Sequence, residues 1–454
     1  MHAIRADSTP AAAFWLALAV LLVYGNSLTG TFQFDDYNVI VRESTVHGWS
    51  QWLANLGHGI RPLLKFSYTL DWVTGTGAPA FHLTNLFIHL ANVWLVYLLA
   101  QRLIQQWSPA FASLALWVAL LFALHPAHSE AVSYISGRSA SLMTLCYLGG
   151  LLTYIEGRGQ SNALKIHVLT PLLFILALGS KETAVTFPLA LWLWEWCNGT
   201  RWREALKASV TSWLVLLLAA LLFLSSDNYL SQMARSAELN SLQGNLASQL
   251  SGFTWLLRQW ALPLRLNIDP DLPLLAKLTD ALLPLAFALF CLALILYCRH
   301  KRPWISFALA WAMLHLLPLY LILPRIDVAN ERQLYLAAWP LLITLLIEPA
   351  RHLGARSLRY ALAAVLLACA SLTVQRNQVY ASEIALWEDT VVKSPHKARV
   401  HNNLGVAYLL AHRHEEARRE FTSALQLDPK LDLARYNLDR LDVKIEKAGG
   451  SLRP

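Results

Sequence analysis

"AAAFWLALAVLLVYGNSLTGTFQFDDYNVIV", residues 11–41, joins an unbroken apolar run to two adjacent carboxylates, Asp35 and Asp36. If 11–28 is a removable signal, it is cut away and fixes nothing in the mature chain. If it is a retained helix, the pair emerges at a membrane surface. The region before it carries one early arginine, Arg5, and no small-x-small site leads into soluble sequence. It therefore reads as a transmembrane helix. Composition agrees: 56% of the chain is hydrophobic and only 15% charged, against about a quarter charged in a soluble domain. A single large soluble core is excluded.

A helix of roughly 20 mostly apolar residues crosses a bilayer. Eleven spans are expected, at 11–28, 81–104, 109–125, 139–155, 166–180, 183–198, 208–225, 281–298, 304–323, 333–348 and 357–374. With the N-terminus cytoplasmic, each inside loop is basic: Arg102; Arg158 and Lys165; Arg201, Arg203 and Lys207; Arg299, Lys301 and Arg302; Arg351, Arg356 and Arg359. Cationic loops of this kind set orientation and account for the net charge of +8 without a nucleic-acid partner. The segment 226–280 stays outside, with "GFTWLLRQWALPL" (252–264) as a helix lying at the interface. Loop 29–80 holds two more amphipathic pieces, "VHGWSQWLANLG" and "RPLLKFSYTLDW". Cys146, Cys197, Cys291, Cys298 and Cys369 all sit in or beside apolar segments and read as small buried hydrophobes, with no disulfide framework.

After the last span the sequence turns soluble. "ARVHNNLGVAYLLAHRHEEARREFTSALQLDPK" (398–430) places Leu404, Gly405, Tyr408, Ala417, Phe421, Ala424 and Pro429 at the small and bulky positions of a tetratricopeptide repeat (TPR). A 34-residue spacing relates Pro395 to Pro429, Trp387 to Phe421 and Leu404 to Leu438. The expected domains are a membrane domain over 1–380 and a TPR domain over 381–448, one full repeat between half repeats. So short a repeat buries little core alone and leans on the membrane domain or a partner.

Polar groups collect on the outer face: Asp35 and Asp36; Arg61 and Lys65 in "RPLLK"; His125, His128, Glu130 and Arg138 in "HPAHSEAVSYISGR"; Lys181 and Glu182; and Arg325, Asp327, Glu331 and Arg332 in "PRIDVANERQLYL". Each has a plain structural reading. Adjacent aspartates in a loop usually make a solvated turn, histidines beside proline usually cap helices, Arg332 can anchor a helix end, and Lys181 can pair with Glu182. Their gathering on one face suits a reaction on an anionic lipid headgroup.

The order "FDDY", "RP", "HPAHSEAVSYISGR", "GSKETAVTFP", "NERQLYL" and then a TPR resembles the TMTC-type O-mannosyltransferases and their bacterial TPR-bearing relatives, of the GT-C superfamily. The resemblance covers nearly the whole chain, although the eukaryotic proteins carry longer TPR arrays. It implies an all-α polytopic fold of the GT-C kind with a C-terminal TPR domain. It also implies transfer of a sugar from a polyprenyl phosphate to a Ser or Thr hydroxyl of an exported protein, with inversion. The catalytic acid of the first outer loop falls on Asp35 or Asp36; in related enzymes the first of the pair is the base, leaving Asp36 to orient a helper group or the backbone. Glu130 resembles a second acidic site.

The chemistry fits that assignment. A hydroxyl needs a base to take its proton, and a departing phosphate needs cations. Arg61, Arg332, Lys65 and Arg138 are candidates for the donor phosphate. His125, His128, Glu130, Lys181, Glu182 and Glu331 are candidates for substrate or acceptor contacts. No cofactor is expected. The spacing of His125, His128 and Glu130 leaves a divalent metal as the alternative. The expected setting is a bacterial inner membrane, with the site and the TPR on the periplasmic side. Two other readings are a flippase for a lipid-linked sugar and a scaffold displaying the TPR. Transporters place charges at mid-membrane on broken helices, whereas His89 and His315 are the main mid-span ionisable residues here.

Overall fold

The computed structural model describes residues 9–57, 60–225, 230–231, 240–317 and 327–450, and all regular structure among them is helical. The helices are α1 (Thr9–Tyr24), α2 (Trp49–Ala54), α3 (Pro62–Val73), α4 (Ala78–Trp107), α5 (Ala115–Leu124), α6 (Ser129–Val132), α7 (Arg138–Gln160), α8 (Thr170–Leu178), α9 (Phe187–Cys197) and α10 (Trp202–Leu224). They continue as α11 (Leu242–Ala261), α12 (Leu282–Cys298), α13 (Pro303–Leu316), α14 (Leu334–Ala337), α15 (Trp339–Ala350) and α16 (Ala355–Val379). The soluble end holds α17 (Glu383–Lys393), α18 (Ala398–Leu410), α19 (His414–Leu427) and α20 (Asp432–Gly450).

Each expected span contains helix, and the chain is a multi-pass membrane protein. By length and composition, five helices can cross a bilayer: Pro10–Thr29, Ala78–Trp107, Trp202–Leu224, Leu278–Cys298 and Ala355–Val379. Two bent pairs raise this to seven. The first, Pro109–Leu124 with Pro126–Val132, bends by 55° where Pro126 cannot continue the hydrogen-bond ladder. The second, Glu331–Ala337 with Trp339–Ala350, bends by 63°. The remaining expected spans are shorter or more polar: Lys165–Leu178 and Pro303–Leu316 are short, α9 has 11 residues, and α7 carries Glu156 and Arg158. The end of the expected span 304–323 lies outside the described residues.

One apolar core runs through α1, α4, α5, α7 and α15, with Tyr147, Phe187, Trp311, Trp339 and Ile347 buried in it. The outward faces of α10 and α12 stay apolar and uncovered, as with Leu222 and Leu283, which suits helices bathed in lipid. Helix α11 contains the sequence expected at the interface. It starts on Ser241, whose Oγ accepts from the Gly244 N–H at 3.1 Å, and it buries Leu250, Phe253 and Leu256.

The TPR pair α18–α19 closes at Gly405. A Cβ there would lie 2.6 Å from the Phe421 ring, so only glycine lets the helices meet this closely. The repeat leans on the membrane domain. Asp269 accepts from Lys397 at 2.5 Å and from Arg399 at 2.6 Å; Asn267 Nδ2 donates to Ser394 Oγ at 2.8 Å. Trp387, buried within the repeat core, meets the Phe34 ring edge-on with centroids 5.0 Å apart. Truncating Trp387 to alanine removes that contact and opens a cavity, a loss of about 3–5 kcal/mol for a buried aromatic. Limited proteolysis of Trp387→Ala should cut the 381–450 region much faster than in the intact chain, with the membrane helices unaffected.

Candidate functional site

The FDDY turn gives its two carboxylates opposite surroundings. Phe34 takes a left-handed backbone (φ 47°) and turns the chain. Asp36 points inward and is fully buried. Its Oδ2 accepts the Gln33 N–H at 3.0 Å, and its Oδ1 accepts the Ser136 N–H at 2.9 Å together with the Ser136 hydroxyl. Asp35 remains partly exposed, and its backbone N–H donates to Tyr134 Oη at 2.9 Å. Burial raises the Asp35 carboxyl, while Arg332 and then Tyr134 pull it back. Burial pushes Asp36 further, to about 7, against the donors from Ser136 and Gln33.

Three further segments carry the other charged groups. In the first, Glu130 accepts from the Arg332 N–H at 2.9 Å and lies 3.4 Å from Arg332 Nε, which fixes the guanidinium near Asp35. Gly137 makes this segment possible, because a Cβ there would sit 2.0 Å from the Glu130 carbonyl oxygen. In the second, Arg61 forks onto Glu182 at 2.9 and 2.8 Å, and the Gly179 carbonyl accepts the Leu63 N–H at 2.9 Å. Burial alone would raise the Glu182 carboxyl; the charge and hydrogen bonds of Arg61, with a backbone donor and the Lys181 charge, together hold the group below its ordinary value. In the third, Lys181, Arg332, His315 and Gln333 line one small cavity beneath the site. Arg332 is the group shared between them: it is held by Glu130, acts on Asp35 and lines the cavity with Lys181, while Arg61 stays paired with Glu182. Asp35 lies in the field of Arg332 and Arg399, opposed by Asp327.

Known proteins show the same kinship. Residues 398–431 match the tetratricopeptide repeat family. The chain is 35% identical to Drosophila melanogaster protein O-mannosyl-transferase Tmtc1 over 37% of this chain and 21% of that protein. It is 34% identical to mouse TMTC1 over 40% of this chain and 22% of that protein. A protein O-mannosyl-transferase of Caenorhabditis elegans is 25% identical over 91% of this chain and 62% of its own length. The chain is thus similar to the TMTC-type protein O-mannosyl-transferases. It spans less than two thirds of each of these relatives, and no solved structure matches it.

Several residues of the chain stand elsewhere than the sequence suggested. Arg138, expected on the donor phosphate, is fully buried and spent on structure: it meets Asp71 at 2.6 Å, Asn85 Oδ1 at 2.6 Å, the Phe81 carbonyl at 2.8 Å and the Ser67 carbonyl at 3.0 Å. No side of its guanidinium is left for a phosphate. Lys65, a turn beyond Arg61, bonds to Thr45 Oγ1 at 3.0 Å beside Glu43. Glu331, expected to contact substrate, is fully buried and held by Arg376 at 3.4 Å and the Asn267 N–H. His125 caps the turn at Ala127 and stacks on Trp260, and His128 Nδ1 lies 2.8 Å from the Phe122 carbonyl. Among the described residues no group of three or more His, Cys, Asp or Glu side chains is placed to hold a metal ion. Arg325 lies outside the described residues.

Residues that the sequence did not single out complete the site. Tyr134 and Ser136 lie inside the quoted "HPAHSEAVSYISGR" run, yet only the fold shows that they touch the FDDY turn. Tyr380 and Glu383 come from the far end of the chain: the Tyr380 carbonyl accepts from Gln33 Nε2 at 2.5 Å, and Glu383 accepts the Phe34 N–H at 3.3 Å.

The two aspartates should part in a stability measurement. Asp36→Asn puts an NH2 group against one of its donors, a loss of about 1–3 kcal/mol, so its unfolding temperature falls. Asp35→Asn should unfold like the intact chain. The folded value of Asp36 lies above its ordinary 3.8, so the stability tied to its protonation is complete below that value and is lost as pH rises through about 7. The deficit of Asp36→Asn should therefore shrink from pH 4 toward pH 7, as read by thermal unfolding across that window.

Proposed function

We propose that this chain is a GT-C-type glycosyltransferase that moves a sugar from a polyprenyl-phosphate donor onto a Ser or Thr hydroxyl of an exported protein. The observation that carries the reading is the partly exposed Asp35 carboxylate, set in the field of Arg332, whose guanidinium lines a cavity with Lys181. The names of the relatives, protein O-mannosyl-transferases, support it.

Asp35 takes the proton of the acceptor hydroxyl as its oxygen attacks the sugar C1. The bond from C1 to the phosphate oxygen breaks, and the polyprenyl phosphate leaves with the electron pair. Direct attack inverts the anomeric centre. Charge growing on the departing phosphate is met by Arg332 and Lys181, with Arg61 behind them already aligned by Glu182. These cations supply the charge stabilisation without a metal. The setting is a bacterial inner membrane, N-terminus inside, with the site facing the periplasm, where lipid-linked sugar and exported chain can meet.

Glycan mass spectrometry on exported proteins tests this, comparing cells with the intact chain, with Asp35→Asn and with no protein. A single sugar mass on Ser or Thr should appear with the intact chain and fall by about 10²–10⁴-fold in rate with Asp35→Asn. Unchanged proteins with altered lipid-linked sugars would favour the flippase reading instead.

A further inference from the structure

We propose that Arg399, carried by the repeat, is a positioning residue of the transfer site: it neutralises Asp327 and sets a second cation, besides Arg332, in the field of Asp35. This rests on the glycosyltransferase reading and adds to it a residue that no motif of the membrane domain supplies.

The start of α18 is locally mischarged. A helix N-terminus favours acids, because its unpaired N–H groups carry partial positive charge. Helix α18 has no acid in its first turn and instead places Lys397 at its N-cap and Arg399 just inside. Its neighbours follow the rule: α17 opens with Glu383, and α19 with Glu415 and Glu416. A sequence breaks such a local rule where other contacts compensate.

The compensation comes from the membrane domain. Arg399 Nε donates to Asp269 Oδ2 at 3.0 Å and its Nη2 to Asp269 Oδ1 at 2.6 Å; the same Nη2 also donates to Asp327 Oδ1. The two aspartates stand differently. Asp269 is buried and has a second cation in Lys397, at 2.5 Å, whereas among the described residues Asp327 pairs with Arg399 alone. Anchoring the repeat therefore needs only Asp269. The bond to Asp327 reaches further, because Asp327 belongs to the segment before α14 that carries Arg332 to the cavity.

Charged groups meet Asp35 from every element around it. Asp36 follows it in its own turn, Tyr134 comes from the segment after α5, Asp327 and Arg332 from the segment before α14, and Arg399 from α18, while Glu383 of α17 holds the Phe34 N–H. Arg332, Tyr134 and Arg399 draw the Asp35 carboxyl down, and Asp327 pushes it up. A base must be ionised to take a proton, so an unpaired Asp327 works against it. Arg399 cancels that charge and adds its own.

The test follows transfer by the full-length protein in detergent from polyprenyl-phosphate mannose to a threonine-containing peptide. The acid limb of kcat/KM against pH reports the base of the free enzyme. Arg399→Ala should move that limb to higher pH by about half a pH unit, a roughly threefold loss of rate below it. Asp327→Asn should move it to lower pH, and the double variant should return it, since both charges are then gone. Arg399→Lys keeps the charge and should leave the limb in place. A fall in rate at every pH with the limb unmoved, or a double variant whose limb stays where Arg399→Ala puts it, overturns the proposal. If Arg399→Ala fails to fold, Asp327→Asn decides alone, and an unmoved limb there overturns it too. A second readout needs no activity: carbon-13 labelling of the aspartate carboxyls, with the Asp35 signal assigned by its loss in Asp35→Asn, follows the Asp35 titration by NMR. It should shift in the same directions, and an Asp35 titration indifferent to Arg399→Ala and Asp327→Asn overturns the proposal. If it shifts as expected while cells carrying the intact chain show no sugar on exported proteins, the placement of Arg399 stands and the glycosyltransferase reading falls.

Discussion

The buried carboxylate of Asp36 is the constraint on which the site depends. A carboxylate removed from water has to be met by donors, and Asp36 finds them on both sides of a gap of about a hundred residues: the Gln33 N–H in its own turn, and the N–H and hydroxyl of Ser136 across the fold. Satisfying that one group ties the first loop to the segment after α5. The turn that results aims Asp35 the other way, with its N–H on Tyr134. Two neighbouring aspartates thus do different work, because one is used to hold the other in place.

The same logic extends to the cations. Arg332 is bound through both backbone and side chain to Glu130, and Arg61 is forked onto Glu182. Charges gathered beside an apolar core need partners, since an isolated one there is costly. Pairing also fixes direction: a guanidinium held by one carboxylate does not have to be ordered when an anion arrives. Arg138 marks the limit of this design. With Asp71 and three oxygens around it, it is so fully satisfied that it has become part of the frame on which α3, α4 and α7 meet.

Hydropathy made the helices legible, because a membrane span writes its length into composition. The quoted motifs marked four of the segments that meet, and the 34-residue spacing marked the repeat. Other features were hidden because they depend on contacts far apart in sequence. "YTLDW" reads as part of a surface helix, yet Asp71 is buried against Arg138. Nothing in "RLNIDPDL" announces that Asp269 will receive Lys397 and Arg399 from the repeat. Among the described residues five to seven helices meet the length and composition of a span, against eleven expected, for a related reason: a stretch of apolar residues in the sequence does not reveal where Pro126 bends the chain or how short α9 becomes.

The repeat takes its meaning from this geometry. A single TPR could hang from the last membrane helix on a loose tether, but here its first helix reaches the FDDY turn itself. Glu383 accepts the Phe34 N–H, Trp387 meets the Phe34 ring, and Gln33 reaches the Tyr380 carbonyl. Phe34 holds a left-handed backbone that a bulky residue rarely adopts, and such a conformation persists only where the surroundings over-determine it. The surroundings that do so include the C-terminal domain. The soluble end of the chain is therefore built into the wall of the site, and the position of Asp35 is set from both ends of the sequence at once.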